Sequence, residues 1–225
     1  MDLKTKRKIE LENQKEKRKK EVILVAIEVL KEKGIENTKM TDIAEKAQIG
    51  VATVYRYFKT KTDLVIEAAI VLWKMEISSL HHQFYEESFI ELSGAERVRI
   101  ILSTFITLYY NHSKFICFLE QFDNYIIKEH IVPEKLEGYE KSIIDLKSVM
   151  FDAIEQGKKD SSIKTTVDKN VFYITIAHSL MSLCQKLILR GEILSSDREI
   201  QGDTQLELII NMAMDYISTT SIKNN

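Results

Sequence analysis

The chain has 225 residues, 44% of them hydrophobic and 29% charged, enough to bury a large core in one domain or in a small and a medium one. Seven Gly and a single Pro are too few for turn-rich β sandwiches or Gly-rich phosphate loops, so the composition predicts an all-α chain of long helices and short connections. The formal net charge of -2 divides into +6 over residues 1–61 and -8 over residues 62–225, which suggests that one end meets a polyanion.

No apolar run approaches the roughly 18 to 20 residues of a membrane span, so no membrane partner is expected. The N-terminus is charged where a signal peptide is apolar, and a cytoplasmic location follows. Cys117 and Cys184 stand alone, without the pairing of metal ribbons or disulfide frameworks, and read as reduced thiols.

Residues 4–20 are nearly all charged, with Lys6/Glu10, Lys8/Glu12 and Glu16/Lys20 at i, i+4. They either extend the helix that follows, frayed at its end, or form a loose basic arm. In that helix Ile23, Ala26, Ile27 and Leu30 share one face, and Lys31, Lys33 and Gly34 supply a cationic last turn and a stop. Thr38 is placed to cap the next helix, whose inner face is Met40, Ile43, Ala44 and Ala47. The pattern breaks at Gln48-Ile49-Gly50 and resumes in Val51 to Phe58, where Val51, Val54, Tyr55 and Phe58 share a side. Two short helices with a three-residue break and an Ala-lined contact predict a helix-turn-helix.

Beyond Asp63, Leu64, Ala68, Val71, Leu72 and Met75 mark a longer helix, and amphipathic segments follow from Val98 to Tyr109 and from Phe115 to Ile126. After Pro133 a further helix runs to Gly157, read as its C-terminal stop, and the last two cover 166–190 and 204–219. About nine helices result. They divide into a basic arm or helix extension (1–20), a three-helix unit that holds the helix-turn-helix (21–61), and a larger helical domain (62–225).

The stretch from Ile23 to Leu64, with Ala26, Gly34, Thr38, Asp42-Ile43-Ala44, Ala47, Thr53-Val54-Tyr55-Arg56-Tyr57-Phe58 and Lys61, resembles the DNA-binding domain of the tetracycline-repressor (TetR) family. About 45 residues carry the likeness. It implies a C-terminal domain that binds a small molecule and dimerises through its last two long helices. It also implies that Thr41 reaches into the DNA groove. Residue chemistry agrees: Val51, Ala52, Thr53 and Tyr57, with Arg56 on the exposed side, lie where a recognition helix meets base edges. The methyl groups of Val51 and Ala52 suit a thymine methyl, the hydroxyls of Thr53 and Tyr55 suit phosphate or base, and Lys61 suits a phosphate. Tyr55 reads equally as core. Gln48 stands where the family usually has Gly, at a turn that needs a left-handed backbone, and Gly50 replaces a usual Ser at the start of the recognition helix.

Aromatic side chains crowd the second domain, and Phe105, Tyr109, Phe118, Phe122 and Phe172 are the expected walls of an effector site. Glu120 and Asp123 would hold a cationic ligand if they face inward, and are solvated acids if they face outward. Residues 166–190 and 204–219 are apolar around much of their circumference, so a two-fold four-helix interface is expected to cover them. In the last helix Leu206, Ile209, Ile210, Ala213, Tyr216 and Ile217 form one side, with Leu208, Met212 and Met214 elsewhere.

The five histidines show no metal spacing, and no nucleophile elbow, phosphate loop or acid-base pair is present. No catalytic residue, metal or cofactor is expected. The reading is a homodimeric regulator gripping a palindromic operator on double-stranded DNA, most simply a repressor released by a small-molecule effector. The alternative is a DNA-bound architectural or cell-division protein of the same fold with a protein partner.

Overall fold

The computed structural model describes residues 2–191 and 193–219. Eleven α-helices and one 3₁₀ turn make up the described residues, with no strand among them and one isolated antiparallel bridge, Ile163 to Ser218. Nine of the helices are seven residues or longer. The other three pieces, the 3₁₀ turn His82–Tyr85, α5 (Glu87–Ile90) and α10 (Ser195–Glu199), are too short for a helical period to announce them. The described chain forms two compact units, Met1–Lys74 with Phe118–Tyr139, and Met75–Cys117 with Glu140–Asn225.

The first unit starts with α1 (Leu3–Lys33), one unbroken helix, so residues 4–20 extend it. Ile23, Ala26, Ile27 and Leu30 are buried as their spacing requires, and so are Ile43, Ala44, Val54 and Phe58 further along. Gly34 ends α1 in a left-handed conformation, φ +80°. The Ile35 amide then donates to Gln121 Oε1 at 2.9 Å, and that same oxygen lies 3.0 Å from where a Cβ on residue 34 would stand. Thr38 is not the cap expected of it. Its buried hydroxyl donates back to the Gly34 carbonyl at 2.7 Å, and Lys39 takes the cap position, its amide bound to Asp42 at 2.8 Å.

Further along this unit come the first part of α4 (Lys61–His81), the second part of α7 (Ser113–Lys128) and the start of α8 (Pro133–Lys159), which opens on proline, the residue whose missing amide costs least in a first turn. Within the unit the rings of Trp73, Phe118, Phe122 and Tyr139 form a chain: Phe118 stacks on Phe122 at 6.3 Å, Phe122 meets Tyr139 at 4.7 Å, and Trp73 meets Tyr139 at 6.3 Å. Burial raises the Tyr139 phenol well above its ordinary range, and the Asp123 carboxylate adds to that.

In the second unit α6 (Gly94–Asn111) packs on α9 (Lys169–Arg190) and α11 (Gly202–Ile217). Ser93 and Glu96 cap α6 reciprocally, Ser93 N donating to Glu96 at 2.9 Å and Glu96 N to Ser93 Oγ at 3.4 Å. Gly157 does not end α8, which continues to Lys159. It is there for closeness: a Cβ on Gly94 would lie 2.0 Å from the Gly157 nitrogen, and one on Gly157 would lie 2.5 Å from Ile163. α9 begins at Lys169 because Asp168 accepts from the amides of Asn170 and Val171 at 2.9 and 3.0 Å. In α11 the inner face is Leu206, Ile210, Ala213, Met214 and Ile217. Tyr216 lies outside that face and is exposed, while Met214 turns in, the reverse of the sequence expectation. Tyr216 is one residue from buried Ile217, about 100° around the helix.

Candidate nucleic-acid interface

α2 (Met40–Lys46) and α3 (Val51–Tyr57) pack against each other and carry the predicted DNA contacts. Lys46 binds Glu32 at 3.0 Å and Glu28 at 3.4 Å, and Lys33 binds Asp42 at 3.0 Å, so both ends of α2 are pinned to α1. The turn passes through Gln48 at φ +53°, the left-handed conformation its position requires. Gly50 then caps α3 in an extended conformation, its carbonyl accepting from Thr53 N at 2.8 Å.

Burial sorts the α3 residues. Val54 and Phe58 are fully inside, holding the helix to the core. Ala52, Tyr55 and Arg56 are exposed, Val51, Thr53 and Tyr57 are half-buried, and Thr41 on α2 is exposed. Tyr55 is 49% exposed, which places its ring outside the core it was equally expected to join. The Arg56 guanidinium lies 5.6 Å from the Tyr57 ring centroid, and Tyr57 meets Phe58 edge-on at 6.4 Å. A groove of about 220 Å³ separates α1 from α3, with Arg18, Val22 and Val25 on one wall and Thr53 and Tyr57 on the other.

Lys61 is the first residue of α4, where Thr60 and Asp63 cap each other's amides at 3.1 Å. In this DNA-free structure its ammonium donates to the Glu36 carbonyl at 3.1 Å and lies 5.7 Å from the Tyr125 ring centroid. Burial lowers the Lys61 pKa, opposed by the carboxylates of Glu36 and Glu129.

A polar edge of α7 steadies this end of the unit and escaped the sequence reading. Gln121 Oε1 accepts from the Ile35 amide just past α1, the Tyr125 hydroxyl bonds Thr62 Oγ1 at 3.0 Å, and Lys128 pairs with Glu36 at 2.8 Å. Their i, i+4, i+7 spacing was visible, but their partners lie far off in sequence.

The predicted effector residues fall in separate clusters. Phe118 and Phe122 are buried in the first unit's ring chain. On the same helix Glu120 accepts from Asn124 at 2.5 Å, while Asp123 is exposed. Phe105 and Phe172 are buried in the second unit, Phe172 stacking on Tyr216 at 6.4 Å, and Tyr109 lines a groove beside Gly202 and Asp203. Among the described residues no group of three His, Cys, Asp or Glu side chains is placed to hold a metal.

Residues 22–68 match the family described as bacterial regulatory proteins, tetR family. The chain is 49% identical over 51 residues to the HTH-type transcriptional regulator LuxR of Vibrio harveyi, an alignment covering 23% of this chain and 25% of that protein. It is 25% identical over 166 residues to the fatty acid metabolism regulator protein of Bacillus subtilis (strain 168), covering 72% of this chain and 82% of the relative. In fold it resembles the crystal structure of the transcriptional regulator FadR from Bacillus subtilis in complex with stearoyl-CoA, with a TM-score of 0.61 and 16% identity over 86% of this chain and 96% of that one. Residues 22–68 thus carry a helix-turn-helix domain of the tetR family of bacterial regulatory proteins, and the chain as a whole shares the fold of such regulators.

Proposed function

We propose that the chain is a homodimeric repressor that binds a palindromic operator through α3 and leaves it when a small-molecule effector binds the C-terminal domain. The observation that carries the DNA half is the sorting of α3. Val54 and Phe58 anchor it, while Ala52, Tyr55 and Arg56 stand in solvent. Val51, Ala52 and Thr53 at the helix start meet base edges, with Tyr57 beside them. Thr41, Tyr55, Arg56 and Lys61 take phosphate or base contacts on either side. Lys61 exchanges its carbonyl partner for a phosphate oxygen, a charge-assisted bond in place of a neutral one.

The dimer rests on an apolar stripe left exposed among the described residues. Leu208, Met212 and Tyr216, spaced by four along α11, are 59%, 59% and 63% exposed, and Val171 and Ile174 on α9 are exposed too. An apolar surface of this kind marks an interaction site, and a two-fold copy supplies matching helices. α9 is also long and apolar enough to cross a membrane by length and composition, with 17% of its apolar window buried. Its outer face carries His178, Ser182 and Lys186, which suits a protein interface better than lipid. A DNA regulator of this kind works in the cytoplasm.

For the effector, Phe105, Tyr109 and Phe172 of the second unit are the aromatic candidates. The FadR structure above holds stearoyl-CoA, which makes long-chain acyl compounds the first effectors to try.

The test selects duplexes from a random-sequence pool with the full chain, then measures anisotropy with the recovered site. Selection of a palindrome is expected, bound at least about ten-fold more weakly by Arg56→Ala and Lys61→Ala, as each removes a charged contact. Recovery of no sequence, or equal affinity of both variants, overturns the reading. Met212→Asp is expected to convert a sedimenting dimer to monomer; a monomeric wild type overturns the dimer. Release of the bound duplex by acyl-CoA supports the effector class, and its indifference to acyl-CoA removes it.

A further inference from the structure

The N-terminal half of α1 has no core to serve. From Thr5 to Arg18 every residue is exposed, yet the helix continues for the whole of that length. Its charges are sorted by face. At 3.6 residues per turn, Arg7, Lys8, Leu11, Lys15 and Arg18 fall within an arc of about 100°, while Glu10, Glu12, Glu16 and Glu21 lie outside it. Val22 and Val25 continue the same stripe into the groove facing Thr53 and Tyr57 of α3, with Arg18 at its mouth and Glu21 at its edge. The cationic stripe is therefore continuous with the surface assigned to the operator.

We propose that this stripe is a second DNA-binding surface, in which Arg7, Lys8, Lys15 and Arg18 of α1 follow the phosphates flanking the half-site read by α3. The inference rests on α3 being the recognition helix. Charge and reach both fit a duplex. From Arg7 to Arg18 the helix advances about 16 Å, close to five nucleotides of one strand along the duplex axis. Lys15 has an ion-pair partner, Glu12 at 3.4 Å, but both side chains are more than half exposed, so a phosphate displaces that pair at little cost. Lys19, outside the stripe, is occupied elsewhere: it binds Glu67 at 3.0 Å and sits 5.5 Å from the Phe58 ring centroid. These contacts carry no base information. They lengthen the footprint and steepen the salt dependence.

The experiment uses the full chain and the selected duplex, both with flanks and trimmed to the palindrome. One variant, Arg7→Gln with Lys8→Gln and Lys15→Gln, strips the stripe and leaves the α3 groove intact. A second, Lys6→Gln with Lys17→Gln and Lys20→Gln, removes the same charge from the far side. On the flanked duplex at about 150 mM salt, the stripe variant is expected to bind about ten- to hundred-fold more weakly, with a log–log salt slope shallower by about 2.7. The far-side variant is expected to lose less than about three-fold, and trimming the flanks should abolish the difference between stripe variant and wild type. Equal losses in the two variants reduce the effect to net charge and overturn the proposal. Wild-type affinity in the stripe variant also overturns it while leaving the recognition helix standing. An unchanged affinity with an altered sedimenting mass overturns it in favour of contact between copies of the chain. A wild type that binds no duplex removes the recognition helix and this surface together.

Discussion

At Gln48 the turn of the helix-turn-helix requires φ +53°, and the chain meets that requirement with a residue other than glycine. Holding a side chain in that conformation costs about 1 kcal/mol. Gln48→Gly is therefore expected to raise the free energy of unfolding by about 0.5 to 1 kcal/mol, read from urea midpoints at unchanged slope. A drop in stability would mean that the Gln48 side chain, exposed here, has a role of its own. Cys184 is a second residue whose surroundings decide its behaviour. It is fully buried, its Sγ lies 3.5 Å from the Phe105 carbonyl, and burial pushes the thiol up to about 12. Since the thiolate is the nucleophile, Cys184 should stay unlabelled by iodoacetamide at pH 8 in native Cys117→Ser protein, and label on adding denaturant. Native labelling at the rate of a free thiol would show that Cys184 is reached by solvent in the folded protein.

Among the elements, the meeting of α6 and α8 within the second unit has the least tolerance. Gly94 and Gly157 bring two helices together with backbone touching backbone, and no rotamer can relieve a Cβ placed 2.0 Å from a peptide nitrogen. Gly94→Ala is expected to cost about 3 kcal/mol or more, beyond what ordinary overpacking takes, because both helices must separate. Thermal melting of the variant checks this, and a loss under about 1 kcal/mol would show that the helices slide past each other freely. Gly94 is also held by Asp160, whose carboxylate accepts its amide at 2.8 Å and the Ser162 amide at 2.9 Å. The start of one helix and the end of another are thus tied by a single side chain. In the first unit Gln121 does the same for the end of α1, again from a distant part of the sequence.

For the molecule as a whole, ionisation sets the acid limit. Asp42 is held below its ordinary pKa by the Lys39 amide and then by Lys33. Glu96 is held down by the Ser93 hydroxyl and amide. For Asp160 burial acts in the opposite direction, yet the bonds from Ser162 and Gly94 outweigh it and its pKa also falls. A carboxylate with a depressed folded pKa contributes stability that is complete above its unfolded pKa and lost as pH falls through the folded one. Stability is therefore expected to be flat with respect to these groups above about pH 5 and to decline below about pH 4. Urea midpoints across that range check it. In the Asp42→Asn, Glu96→Gln, Asp160→Asn triple variant the decline should be shallower; the same slope as wild type would assign acid unfolding to other groups.

The sequence by itself determined the helical class, the two short helices with their turn, and two of the four residues expected on the inner side of α3, Val54 and Phe58, because each follows from local periodicity and backbone preference. The left-handed turn at Gln48 came from the resemblance, whose family usually has Gly at that position. What only the tertiary structure decided involves partners remote in sequence. Thr38 looked like a cap, but the Gly34 carbonyl drew its hydroxyl and Lys39 took the cap. Gly157 looked like a stop, but the close approach of Gly94 made it a contact point inside a continuing helix. Tyr216 shared its arc with apolar neighbours on paper, and the rotation of α11 in its packing turned Met214 inward instead. Helix patterning fixes which residues can share a face. Which way that face turns, and which polar groups close its ends, depends on contacts across the fold that no local window contains.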